Sequence, residues 1–289
     1  MRFCQAVWFV FASILFIGCN KEYSLETDQN LAPAGSGLLI GATLKDAISE
    51  LTFTYEYNAA NLPSRNLFVA NAAGFTAEGI ITASRDAAGK VTASRIVLAS
   101  NISAGSDTIN YEIKRNAGGK ISYVLLKPAD TTNTAGYDSI VYSYNGSGKL
   151  SGYVVYIIEY GTGFIDPVQA FEITYDGNNV SKMVEYELMG SLTNRALVET
   201  ITLYYDDKPA ARVLTEEDFI ANLAPINNIG PAVNNTLKYS REYAQDPAAN
   251  VITEYNYVYG TNGKPNSAEV TTIRPGLGDG KATLTFSYR

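Results

Sequence analysis

Histidine is absent from this chain, and its two cysteines and one tryptophan (Cys4, Cys19 and Trp8) all fall within the first nineteen residues. Beyond Cys19 there is no thiol, no disulfide, no imidazole and no indole. That excludes zinc sites built from Cys and His, triads with a His base and Cys–His nucleophilic pairs. Charge is also sparse, 18% of residues, and unbalanced, with 22 Lys+Arg against 29 Asp+Glu. An acidic surface repels phosphate backbones, so no nucleic-acid partner is expected. The acids are spread along the chain, as suits solubility. A 46% hydrophobic content over 289 residues is that of a folded protein.

The N-terminus carries an address. Arg2 is followed by a nearly continuous apolar run from Ala6 to Ile17. At about a dozen residues it has the length of a signal-peptide core and is too short to span a bilayer. It ends in Leu15-Phe16-Ile17-Gly18-Cys19. A small residue directly before Cys resembles the lipobox of bacterial lipoproteins, which implies that residues 1–18 are a signal peptide and that Cys19 is lipidated. Residues 19–37 are polar and then rich in Ala, Pro and Gly, and read as a flexible tether. The expected location is the cell envelope, as an outer-membrane lipoprotein, with the membrane as partner through the lipid on Cys19. Exposure at the cell surface is left open.

A period organises the rest. The turn segments Tyr57-Asn58, Arg85-Asp-Ala-Ala-Gly-Lys90, Arg115-Asn-Ala-Gly-Gly-Lys120, Tyr144-Asn-Gly-Ser-Gly-Lys149, Tyr175-Asp176, Tyr205-Asp206 and Tyr259-Gly260 recur. The first residues after these turns are 62, 91, 121, 150, 180, 209 and 265, so the spacing is 29 or 30 until a last gap of two periods. Leu237 falls midway in that gap and marks a degenerate copy. Between turns, apolar and aromatic residues alternate with polar ones, as in Leu51-Thr-Phe-Thr-Tyr-Glu-Tyr57 and Phe171-Glu-Ile-Thr-Tyr175. Alternation of period two places one kind of residue on each face of a strand.

Each repeat therefore reads as a β-hairpin with a return turn. The fold class is all-β: an antiparallel meander of about 14–16 strands over residues 38–289. So many strands accumulate twist, and the sheet must curl strongly or close into a barrel-like shell with its Tyr/Ile/Val face inside. Thr215-Glu-Glu-Asp218 has the pattern of a helix start, and a short helix and irregular loop are expected over 215–235. A second short helix is read at Leu44–Glu50.

The turn pattern resembles the tyrosine–aspartate repeats of Rhs-type shells, and more closely those of uncharacterised exported lipoproteins of the Bacteroidota. Tyr175-Asp176 and Tyr205-Asp206 keep the pair, Tyr144-Asn145 and Tyr57-Asn58 replace Asp by Asn, and Arg85 and Arg115 stand where Tyr would. The resemblance implies an architecture and no chemistry.

The expected function is a non-catalytic, lipid-anchored binding or display module, a monomer with a glycan, peptide or protein ligand. Among the 21 tyrosines, most suit a core face. Tyr255, Tyr257 and Tyr259 share one face near a loop and are the candidate ligand platform. No metal, cofactor or catalytic residue is assigned; Asp206-Asp207 and Glu216-Glu217-Asp218 match no calcium loop. Three alternatives stand. A structural or assembly lipoprotein would have a protein partner and no small-molecule site. An outer-membrane β-barrel fits the hairpins, but strands read as five to seven residues fall short of the 9–11 needed to span. A hydrolase would need two converging carboxylates.

Overall fold

The structure is a computed structural model that describes residues 37–101, 106–128, 137–158, 165–227, 229–276 and 278–289. The expected signal peptide, Cys19 and nearly all of the expected tether lie outside the described residues. Sixteen strands follow one another: β1 (Leu39–Lys45), β2 (Ser49–Tyr57), β3 (Pro63–Ala72), β4 (Phe75–Arg85), β5 (Val91–Ser100), β6 (Ser106–Arg115), β7 (Ile121–Pro128) and β8 (Tyr137–Tyr144). The second half comprises β9 (Leu150–Ile158), β10 (Ile165–Asp176), β11 (Asn179–Leu188), β12 (Arg195–Leu214), β13 (Ala232–Tyr243), β14 (Val251–Tyr259), β15 (Pro265–Arg274) and β16 (Gly278–Tyr288). Each pairs antiparallel with its sequence neighbours, and β1 pairs with β16 from Leu39↔Tyr288 to Lys45↔Thr283, closing the barrel. Closure removes both edges of the meander.

The alternation decides which face points in. On β2, Leu51, Phe53, Tyr55 and Tyr57 join the core while Glu50, Thr52, Thr54 and Glu56 face out. On β16, Leu284, Phe286 and Tyr288 point in, and Lys281, Thr283, Thr285 and Ser287 point out. Three apolar clusters line the inside: β1–β3 with β15 and β16, β4–β7, and β9–β12.

The period is a ring of identical joints at one end of the barrel, where the chain also enters and leaves. In five of the turns a glycine takes a positive φ, for example Gly89 at 80° and Gly148 at 78°, with Asn61 at 57° in the first. The preceding Asp or Asn caps the turn: Asp86 Oδ1 accepts from the amides of Ala88 and Lys90, each at 2.9 Å. One extra residue after each turn makes a bulge, as where Arg85 pairs with Val91 but Ser84 with Ala93. The bulge turns both the residue before the turn and the first one after it inward, so Val91, Leu150 and Val180 are wholly buried.

At most of these joints the long side chain donates to the main chain of the preceding repeat; Tyr175 and Tyr259 reach the carboxylates of Glu216 and Asp206 instead. Tyr57 Oη reaches the Leu39 carbonyl (2.6 Å), Tyr144 that of Ile121 (2.9 Å), Tyr205 that of Val180 (2.8 Å) and Tyr288 that of Pro265 (2.9 Å). Arg85 and Arg115 do the same to Pro63 (2.9 Å) and Val91 (2.8 Å). Each such bond stabilises by about 1 kcal/mol net. Turn lysines fold over the next ring: Lys120 lies 5.1 Å from the centre of Tyr144 and Lys149 5.2 Å from that of Tyr175.

Three expectations need correction. Leu44–Glu50 is no helix; it ends β1, turns and starts β2, with Asp46 Oδ1 accepting from the amides of Ile48 (2.8 Å) and Ser49 (2.6 Å). Leu237 marks no extra turn but lies within β13; the double gap is one hairpin opened by an insertion of about one period. The strands are longer than read, mostly eight to twelve residues. The bulge also separates Val91, which points in, from Arg95, which points out.

Candidate functional site

The insertion between β12 and β13 folds into the barrel from the turn end and plugs it. Its neck is closed by Asp206, whose Oδ1 accepts from the Asn235 amide at 3.1 Å and whose other oxygen meets Tyr259 Oη. Within it, Thr215 caps a short helix, α1 (Glu216–Ile220), accepting from the Asp218 amide at 3.1 Å. The three acids of α1 each find partners on a successive hairpin. Asp218 pairs with Arg85 at 2.7 Å, both side chains under a tenth exposed. Glu217 pairs with Arg115 at 2.9 Å and accepts from the Val91 amide at 3.1 Å. Glu216 accepts from the Leu150 amide at 2.7 Å and lies 3.7 Å from Lys120. Bulges had left those amides without ladder partners.

The plug is also apolar. Ile220, Ala221 and Leu223 are buried against β4–β7, while Phe219 and Ile229 pack against β9–β12. It reaches roughly four residues along the wall: Ser94 Oγ donates to the Ala221 carbonyl (2.9 Å), Tyr55 Oη accepts from the Ile226 amide (3.1 Å), and Asn227 donates to Tyr257 Oη (3.2 Å).

Beyond the plug the inner wall has two characters. From β1 to β8 it is apolar, with Phe53, Phe68 and Tyr142 among its aliphatic side chains. From β10 to β13 it carries Gln169, Glu185, Glu199 and Arg241. Glu185 and Glu199 stand directly opposite each other on β11 and β12. Gln169 donates to Glu185 at 3.0 Å, and Arg241 Nε lies 3.5 Å from Glu199 Oε2, an ion-pair distance without hydrogen-bond geometry. Burial, then repulsion from Glu199, pushes the Glu185 carboxyl up to about 7. Burial also raises Glu199, against the pull of Arg241. These acids went unnoticed in the sequence because their pairing depends on the register of β11 against β12.

Tyr255, Tyr257 and Tyr259 do share a face, and it is the inner one. Tyr255 stacks on Tyr257 with centroids 5.9 Å apart, and Tyr257 Oη bonds the Thr236 carbonyl at 3.0 Å. A ligand of these rings would have to lie inside the barrel.

No protein-family model and no curated protein matches this chain. Solved structures do. A porin-like protein from Bacteroides uniformis aligns at TM-score 0.51 and 16% identity, over 87% of this chain and 98% of that one. A porin-like protein from Bacteroides vulgatus covers the same shares at TM-score 0.42 and 11% identity. The first likeness supports the fold. In fold, the chain matches the barrel alternative read from sequence, and strands of eight to twelve residues remove the length objection raised against it. No helix among the described residues is long and apolar enough to cross a membrane.

Proposed function

We propose that this chain is a non-catalytic envelope barrel, held at the outer membrane by a lipid on Cys19, that stands beside the bilayer and serves as a binding module. The polarity of the wall carries this reading. A membrane-spanning barrel is apolar outside and polar within; here the order is reversed. Outward positions hold ion pairs such as Lys238–Glu254 (3.1 Å), Arg195–Glu172 (2.6 Å) and Lys127–Glu112 (2.6 Å). An outward Lys or Arg at the bilayer midplane would cost about 2–4 kcal/mol each. Gly37, whose carbonyl accepts from Lys264, sits at the plugged end, so a tether from Cys19 turns that end to the membrane and the other end away.

The second reading, a barrel within the outer membrane, is favoured by closure at sixteen strands and by the porin-like neighbour. Carbonate extraction of membranes carrying Cys19→Ala separates the two. Release of a folded, soluble chain is the expected result. Retention in the carbonate-washed membrane would overturn the proposal in favour of the spanning barrel.

A further inference from the structure

The turn end of the barrel differs in charge from the rest of it. Lys90, Lys120, Lys149 and Lys264 each close a turn, and Lys208 follows Asp206-Asp207 at the neck of the plug. Lys120, Lys149 and Lys264 lie over the rings of Tyr144, Tyr175 and Tyr288 at 5.1, 5.2 and 5.3 Å, which sets their heads along one rim. Lys90 and Lys208 are exposed. Behind them Arg212, only 8% exposed, has no carboxylate partner among the described residues. The acids of α1 face inward, to the Leu150 amide, Arg115 and Arg85. Together the turns, the plug and the chain end hold nine Lys and Arg against seven Asp and Glu, while the rest of the described barrel holds eleven against seventeen. Asp46, Asp107, Asp166, Asp246 and Asp279 stand at the opposite rim. An acidic chain thus has one positive end, and it is the end at which Gly37 sits.

Screening decides which charges an approaching surface meets. In physiological salt a charge is felt over about 8 Å, whereas strands of about ten residues hold the two rims roughly 30 Å apart. A surface at the turn end therefore meets the lysines and not the far aspartates. We propose that the turn end docks on an anionic lipid surface, with the rim lysines against its phosphate groups. A lysine head is a compact point charge that seats on phosphate without a fixed geometry, as a fluid headgroup layer requires. This contact sets the barrel upright, with its other mouth turned from the bilayer. The inference rests on the reading of the barrel as a water-borne module tethered through Cys19, which delivers this end to the membrane.

The test uses residues 20–289, which contain every described residue and lack the lipid, in sedimentation with vesicles. Pure phosphatidylcholine is compared with a mixture containing phosphatidylglycerol, at about 0.01 M and about 1 M salt, where charges reach about 30 Å and about 3 Å. Co-sedimentation with the anionic vesicles at low salt alone is expected. Lys90→Gln with Lys149→Gln and Lys264→Gln should weaken it about fivefold per lysine, about a hundredfold in all. Lys45→Gln with Lys127→Gln and Lys281→Gln, toward the opposite rim, should leave it unchanged. Should the first triple fail to fold, Lys90→Gln alone, at an exposed side chain, should still show the fivefold loss. Equal losses from the two triples, or no binding of the parent to anionic vesicles at low salt, would overturn the docking surface. Binding to both kinds of vesicle that survives about 1 M salt would instead show insertion and overturn the water-borne reading, so the two failures are distinguishable.

Discussion

Glu185 and Glu199 are a facing pair of carboxyls on a buried wall, next to one guanidinium, Arg241, with Gln169 and the Tyr153 ring beside them. Two like charges held opposite each other resist ionising together. For Glu185 the folded state holds its proton up to about 7, against 4.5 for the ordinary group. Between those values the folded chain binds more protons than the unfolded one, so the pair makes stability fall as pH rises through that window. Urea unfolding at about pH 5 and about pH 8 should show wild type losing more stability than Glu185→Gln across the interval, because Gln has no charge to bury. Identical pH dependence in the two proteins would mean that the carboxyl is solvated. The identities of these residues were plain in the sequence, but two glutamates in separate strands carry no sign that they meet. Tyrosine was more legible, since its every-second-residue placement already gave an inner face. Tyr57, Tyr144 and Tyr205 had a second task that spacing could not reveal, because each donates to a carbonyl 18 to 25 residues back.

The plug was half legible. Thr215 with an acid three residues on gave α1 its start, and the structure keeps that cap. The destinations of the acids were hidden, because consecutive Glu-Glu-Asp reads as solvated until Arg85, Arg115 and the Leu150 amide are seen on consecutive hairpins around it. The two arginines break the tyrosine pattern: Arg85 and Arg115 take the Tyr position where Asp218 and Glu217 of the plug arrive. At Arg85 the consequence is measurable. Arg85→Met would leave the Asp218 carboxylate buried without its partner, which should destabilise by about 3–5 kcal/mol. Arg85→Met with Asp218→Leu removes both charges and should recover most of that loss, short of about 1 kcal/mol for the lost bond to the Pro63 carbonyl. Denaturant midpoints of the two variants decide it; a double variant as unstable as the single one would show that the loss comes from Arg85's own bonds to the Pro63 and Gly89 carbonyls and not from a stranded carboxylate.

Across the whole molecule, a strand-to-strand ladder runs unbroken round the barrel, and the chain ends meet at the plugged end, where the Arg289 amide donates to the Leu38 carbonyl at 3.1 Å. Strong curvature was foreseeable from strand number and accumulated twist; the choice between an open curl and a closed wall was not, since it depends on β1 matching β16 across the full sequence. If pairing, and not chain order, specifies the barrel, the two ends can be exchanged. Joining Arg289 to Leu38 by a short linker and opening the chain between Ala47 and Ile48, in an exposed turn, keeps every ladder intact. That permutant should melt cooperatively, close to the temperature of the parent barrel. Deleting β16 is the converse. It leaves β1 and β15 with unpaired edges and opens three apolar clusters to water, so the product should aggregate. A permutant that cannot fold, beside a parent that does, would mean that β1 must be in place before the other strands assemble, and that the sixteen strands do not close by pairing alone.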